Sequence, residues 1–477
     1  MTLLSTGSTV AGGSRSCRPE ALSIDAAVAS DHGFAIASRR IQLDAGEFDG
    51  ALLIRDGTVQ AVVVRADVPH GVSVDDFGSL VVMAGRVDTH VHVNEPGRTD
   101  WEGFETATRA AAAGGTTTIV DMPLNSVPVT TTLEALERKR EAARGRCFVD
   151  CGFWGGVVPG NADELEPMIE AGVCGFKAFL IDAGIAEFPA VTEADLRAAL
   201  PILAARGVPL LVHAELALSA APAAADPRRY ATHLGSRPDA WERDAIALLV
   251  RLCREYRAPV HVVHLSSATA LPLLRAARAE GLPFTAETCP HYLVFEAEAV
   301  ADGATEFKCA PPIRGARNRE QLWAALADGT IELVVSDHSP CTPELKARAA
   351  GDFASAWGGI ASLQLALSAT WTEARARGLT PADVARWMCE APARQARLAR
   401  KGRLAAGGDA DVVVWDPDAP FSVTEADLHH RHKLTPYLGR RLQGIVRATY
   451  LRGRKVYDRG SFTEPIRGEL LTPHGHQ

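Results

Sequence analysis

Eight short apolar runs, alternating with Ala-rich stretches that end in glycine, constrain this chain more than any other feature. In order they are GRVDTHVHV, TTTIVDMP, CFVDCGFWGGVV, GFKAFL, PLLVHAE, PVHVVHLSS, FTAETCPHY and IELVVSDHSP. Runs of this length bounded by turn residues read as buried strands. Between them, segments such as WEGFETATRAAAAGG, EADLRAALPILAARG and ATALPLLRAARAEG carry helix formers at helical spacing and stop at glycine, the residue that tolerates a left-handed C-cap. Eight such units predict an α/β fold, a TIM-type (β/α)8 barrel over residues 87–389.

The flanks have another character. GFAIASRRIQL and GALLIRDGTVQAVVV, with Asp56-Gly57 as a turn signal, read as a hairpin, and DADVVVWDP (409–417) and ATYLRGRKVYDRG (448–460) repeat that pattern at the far end. Residues 33–86 and 390–477 are therefore expected to build one small β-sandwich domain from both ends of the chain. Residues 1–32, rich in Ser, Ala and Gly with no continuous apolar stretch, read as a disordered leader and not as a secretory signal.

A chain of 477 residues with 47% hydrophobic content has ample material for a large core and a smaller one. Its formal charge of -8, with Lys and Arg dispersed, excludes nucleic acid and membrane surfaces as expected partners and leaves a small-molecule substrate. The 9 cysteines form no CxxC pair and are odd in number, which suits a reducing cytoplasm. No apolar run approaches the roughly 18 residues of a membrane span.

In a barrel of this kind chemistry gathers at the C-terminal ends of the strands, and six ionisable residues fall there. His90 and His92 end the first run, Lys177 lies in the fourth, His213 ends the fifth, His264 the sixth and Asp337 the eighth. Two histidines two apart on a strand face the same way and can reach one metal ion. Alone, each histidine reads as a hydrogen-bonded structural residue, and the paired spacing is what brings ligation level with that reading. His261 and His264, three apart, are expected to point to opposite faces, with His264 the inward one. Lys177, between Phe176 and Phe179, is costly to bury as a cation; as a neutral amine it can combine with carbon dioxide to give a carbamate able to bridge two cations. The alternative is an amine that snorkels to solvent. Asp337, after a buried run, would be penalised as an unpaired carboxylate, and a metal removes that penalty. His338 is the competing candidate, with Asp337 orienting it.

Spread over five strands, this pattern resembles the amidohydrolase superfamily with a binuclear metal centre: HxH, a carboxylated lysine, two further histidines and an aspartate. Within it the chain is similar to the cyclic amidases, from about residue 34 to about 465. The stretches NEPGRTDWEGFETATRAAAAGGTTTIVDMPLNSVP (94–128), SDHSPCTPELK (336–346) and AWGGIASLQ (356–364) resemble allantoinases. Asn94 stands where dihydroorotases carry an arginine for a substrate carboxylate, which favours an uncharged ring. The resemblance implies hydrolysis of the hydantoin ring amide of allantoin to allantoate, with Asp337 moving the proton. It also implies two divalent cations, zinc by expectation, held by His90, His92, carboxylated Lys177, His213, His264 and Asp337. It places substrate contacts at Asn94, Ala310 and Gly359 and implies a homotetramer. The alternatives are a hydantoinase, dihydropyrimidinase or dihydroorotase-like activity, and a non-catalytic scaffold.

Overall fold

The structure, a computed structural model, describes residues 33–218, 226–465, 468–473 and 475–476; the expected leader over 1–32 lies outside the described residues. All eight runs are strands: β1 (Arg86–Val91), β2 (Thr116–Asp121), β3 (Asp150–Phe153, continued by Gly155–Gly156), β4 (Phe176–Phe179), β5 (Leu210–His213), β6 (Val260–Val262), β7 (Phe284–Thr288) and β8 (Leu333–Val334). Neighbours pair in parallel in chain order. The ring closes where Val91 bridges His338: the His92 N–H donates to the His338 carbonyl at 2.8 Å, and the His338 N–H donates to that of His90 at 3.3 Å. Every residue of β1 and β2 is buried, as parallel strands covered by helices outside and packed side chains inside must be.

The intervening helices follow from local sequence. Glu193–Arg206 starts at Thr192, whose hydroxyl accepts from the Asp195 N–H while the Asp195 carboxylate reaches back to the Thr192 N–H. It ends at Gly207, with φ of 60°, a conformation that costs glycine nothing. Phe104–Ala113 turns Phe104, Ala107, Ala110 and Ala111 inward; small residues let it lie close to β2.

Both ends of the chain join one nine-stranded sheet, which forms the β-sandwich part of the molecule. Its order is Ser461–Phe462, Arg454–Asp458, Arg441–Leu451, Val412–Ser422, Val81–Ala84, Phe34–Leu43, Gly46–Arg55 and Thr58–Val63, with Ser73–Asp76 beside Phe34–Leu43. The segments flanking the barrel meet where Val412–Ser422 runs antiparallel to Val81–Ala84. Asp56 and Gly57, with φ of 50° and 76°, form the two-residue turn of the expected hairpin, in which both central residues are left-handed.

Barrel and sheet are tied by a buried ionic seam. Lys401 Nζ lies 2.6 Å from Asp150 on β3, 2.9 Å from Asp409 and 2.7 Å from Asp411, and Arg452, in a turn of the sheet, also pairs with Asp150. No helix among the described residues is long and apolar enough to cross a membrane.

Candidate metal centre

Strand alternation puts Asp88, His90 and, one residue past the strand, His92 on one face of β1. Asp88 accepts from the Ser336 N–H at 3.1 Å, which fixes the segment beyond β8 against β1. That segment then turns: Asp337 has φ of 45°, a left-handed conformation costly for a residue with a Cβ. The turn aims its carboxylate inward. Asp337 Oδ1 lies 3.3 Å from His90 Nε2 and 3.7 Å from His92 Nε2, and the donor atoms of these three residues all fall within 4.8 Å of one another.

His213, at the end of β5, and His264, two residues past β6, complete the group. His213 Nδ1 is 3.1 Å from His264 Nε2, and the His264 ring is 5.2 Å from that of His90 between centroids. The structure corrects the expectation for the sixth run. His261 and His264 both point into the barrel, because β6 ends at Val262 and His264 adopts φ of 39°, so strict alternation no longer applies. The His261 ring meets Glu287 Oε2 at 3.0 Å, while the other oxygen of Glu287 lies 2.5 Å from His90 Nδ1.

Lys177 is fully buried. Among the described residues its Nζ has no hydrogen-bond acceptor, and it lies 4.9 Å from the centroid of the Phe179 ring, so it does not snorkel. Burial pushes it down to about 7, against the pull of Glu287 and Asp337. Burial likewise lowers His92 and His264 well below the ordinary histidine value and His213 to about 4, so these rings are neutral, the form that ligates metal. Burial raises Asp337, opposed first by His90. For Glu287 burial acts upward too, but His90 and His261 together hold it below the carboxylate range.

This is a donor set that fits divalent metal: neutral imidazoles, a carboxylate, an amine without an acceptor and His264 Nδ1 without a partner. All six candidates line one cavity of about 680 Å³, together with Asn125, Phe179, Trp357, Ala310 and Gly359. Asn94 is not among the lining residues. It is buried with φ of 67° and donates from Nδ2 to the Pro340 carbonyl at 3.3 Å. His338 is turned away from the donor set: its Nδ1 accepts from the Ser362 N–H at 3.2 Å, and its Nε2 faces Glu102 at 3.5 Å.

Several supporting residues escaped the reading of the sequence. Glu287 carried the signal used for Asp337, an acid at the end of an apolar run. Glu215, 2.7 Å from His213 Nε2 and paired with Arg237, sits two residues past the end of β5. Such carboxylates fix ring orientation and raise ligand basicity. Asn125 Nδ2, 3.4 Å from His92 Nδ1, comes from a loop and left no such signal.

The profile of the amidohydrolase family matches residues 81–456, and the chain belongs to that family. Its place within the family is among the cyclic amide hydrolases, where the curated relatives it matches are allantoinases. That of Streptomyces avermitilis is 51% identical over 446 residues, covering 93% of this chain and 99% of the relative. That of Arabidopsis thaliana is 44% identical over 460 residues, covering 92% and 91%. Among solved structures, the L-hydantoinase of Arthrobacter aurescens superposes with a TM-score of 0.86 at 31% identity, covering 92% of this chain and 99% of that one.

Proposed function

We propose that the protein hydrolyses the hydantoin ring amide of allantoin to give allantoate, at a binuclear centre held by His90, His92, Lys177, His213, His264 and Asp337. The observation that carries this reading is the convergence of all six side chains from five strands on one cavity, in a chain whose curated relatives are allantoinases. Lys177 is assigned to bridge the two cations as a carbamate: its neutral amine nitrogen bonds the carbon of carbon dioxide, and the displaced N–H proton leaves to solvent. Divalent cations bound by this set, zinc in our assignment, would supply Lewis acidity toward water and toward the scissile carbonyl.

The remaining work falls to side chains and backbone. Asp337, beside both His90 and His92, accepts the proton of the attacking water and passes it to the departing amide nitrogen. Phe179 and Trp357 narrow the cavity, and the backbone around Ala310 and Gly359 holds the ring. An uncharged ring suits this lining, since neither of its cations there is at liberty to meet a carboxylate. Arg237 is paired with Glu215, and Lys308 donates to the carbonyls of Ala354 at 3.1 Å and Ala356 at 2.5 Å. The same reading carries a tetrameric assembly on resemblance, and the cysteine usage suits a cytoplasmic location.

The likeness to hydantoinase structures supports a second reading, that of a hydantoinase or dihydropyrimidinase; identity favours the first, 51% against 31%. Turnover of allantoin, dihydroorotate and dihydrouracil before and after chelation decides. Allantoin should be opened fastest, and only by metal-loaded protein. Dihydroorotate hydrolysis at a comparable rate would sink the assignment.

A further inference from the structure

Lys346 is a buried lysine to which, among the described residues, no carboxylate is hydrogen-bonded. It ends the short 3-10 helix Pro343–Lys346. Its Nζ donates to three backbone carbonyls, those of Lys308 at 3.3 Å, Trp357 at 3.0 Å and Gly359. These carbonyls belong to the two segments that form one wall of the cavity, around Ala310 and around Trp357–Gly359. The wall has no regular secondary structure. It is held instead by the Gly359 N–H donating to the Lys308 carbonyl at 2.9 Å, the Trp357 N–H donating to Leu345 at 2.7 Å, and the Lys308 ammonium on Ala354 and Ala356. Packing at this point is close: a Cβ on Gly359 would overlap the Ser339 carbonyl.

The C=O and N–H of a trans peptide point in opposite directions. With the Trp357 carbonyl drawn onto Lys346, the Gly358 N–H is turned away from the lysine, on the side where Gly358 and Ala310 line the cavity. An ammonium does this better than a neutral donor, because one compact group with three N–H bonds can gather three acceptors at once.

We propose that Lys346 is a positioning residue for substrate: it orients the Trp357–Gly359 backbone so that the Gly358 N–H meets a carbonyl of the bound ring. The role rests on the proposed ring-amide hydrolysis, and it predicts an effect on binding with little effect on metal loading. Lys346→Met, which keeps the length of the side chain and loses every donor, should raise KM for allantoin about ten- to a hundredfold, the scale of losing hydrogen bonds from a charged donor, with kcat reduced less. Bound metal per chain should match wild type. Lys346→Gln, which retains N–H donors, should recover part of the KM. If Lys346→Met is insoluble, Lys346→Gln read alone should still show the raised KM at full metal content. A KM within about twofold of wild type in the soluble variant, or a fall in rate that tracks loss of metal, would overturn the proposal. Wild type that fails to open allantoin sinks the substrate assignment alone. The Lys346 comparison is then made on whichever of hydantoin or dihydrouracil it opens.

Discussion

Lys177, at the cavity, and Lys401, at the seam between barrel and sheet, are equally removed from water, and their surroundings differ in kind. Lys177 has no acceptor and an aromatic ring beside it. Lys401 has three carboxylates within 2.9 Å. Burial pushes both amines toward neutrality, but around Lys401 the attraction of Asp150, Asp411 and Asp409 wins and raises it above the ordinary lysine value, whereas Lys177 settles at about 7. A buried lysine is therefore not in itself a functional one. On the proposed reading, the lysine poised for chemistry is the one whose fold withholds a counter-charge while placing candidate metal ligands around it.

The sharpest break in this comparison is Lys177→Ala. It should lower kcat/KM by more than about a hundredfold, since even partners behind metal ligands are worth about 10- to 100-fold, and elemental analysis should show metal lost in parallel. Full metal content and activity in this variant would end the bridging role. Lys401→Met should do the reverse. Stripping the cation from three buried carboxylates should destabilise the fold by about 3–5 kcal/mol in urea unfolding, while kcat/KM of the folded, metal-loaded protein stays within about threefold of wild type.

Titration separates the two amines again. In metal-free protein the unfolded chain takes up a proton at Lys177 near the ordinary value of 10.5, and the folded chain only near 7. Stability should thus fall as pH drops from about 10 to about 7, by a few kcal/mol at most, and gain no further slope from this group below that. His213, shifted from 6.5 to about 4, then continues the decline on the acid side. Lys401, raised when folded, contributes fully below its unfolded value and is lost only at still higher pH. Unfolding free energies of the metal-free protein across this range should show a steeper upper slope in wild type and in Lys401→Met than in Lys177→Met, where Lys308, lowered to about 8, and Lys346, also lowered by burial, still contribute; an equal slope in all three would refute the assignment.

The smallest effect is expected at Glu287, which faces Lys177 electrostatically and binds His90 and His261. Glu287→Gln should weaken metal binding about 10- to 100-fold in competition with a chelator and leave the fold intact.

Much of this was legible along the chain because it is local. Alternation of apolar runs with glycine-closed helices located all eight barrel strands, Asp56-Gly57 located a hairpin, and the two-residue spacing of His90 and His92 put both on one face. The reading failed where a residue lies beyond the end of its strand. His264 and Asp337 owe their direction to left-handed backbone that no propensity announces, and alternation therefore misassigned His261. Asn94, chosen by resemblance, is not among the residues that line the cavity, and Asn125, from the next loop, lines it.

The sequence by itself determined which side chains are available and on which strand each would ride, because strand and helix periodicity are set by neighbours a few residues apart. The tertiary structure alone decided which carboxylate meets which amine. Asp337 approaches His90 across 247 residues, and Lys401 meets Asp150 across 251. At such separations nothing local fixes the distance; closure of the barrel and its docking to the sheet do. Those contacts, by supplying or withholding a counter-charge, hold one buried lysine above the ordinary lysine value and push the other down to about 7.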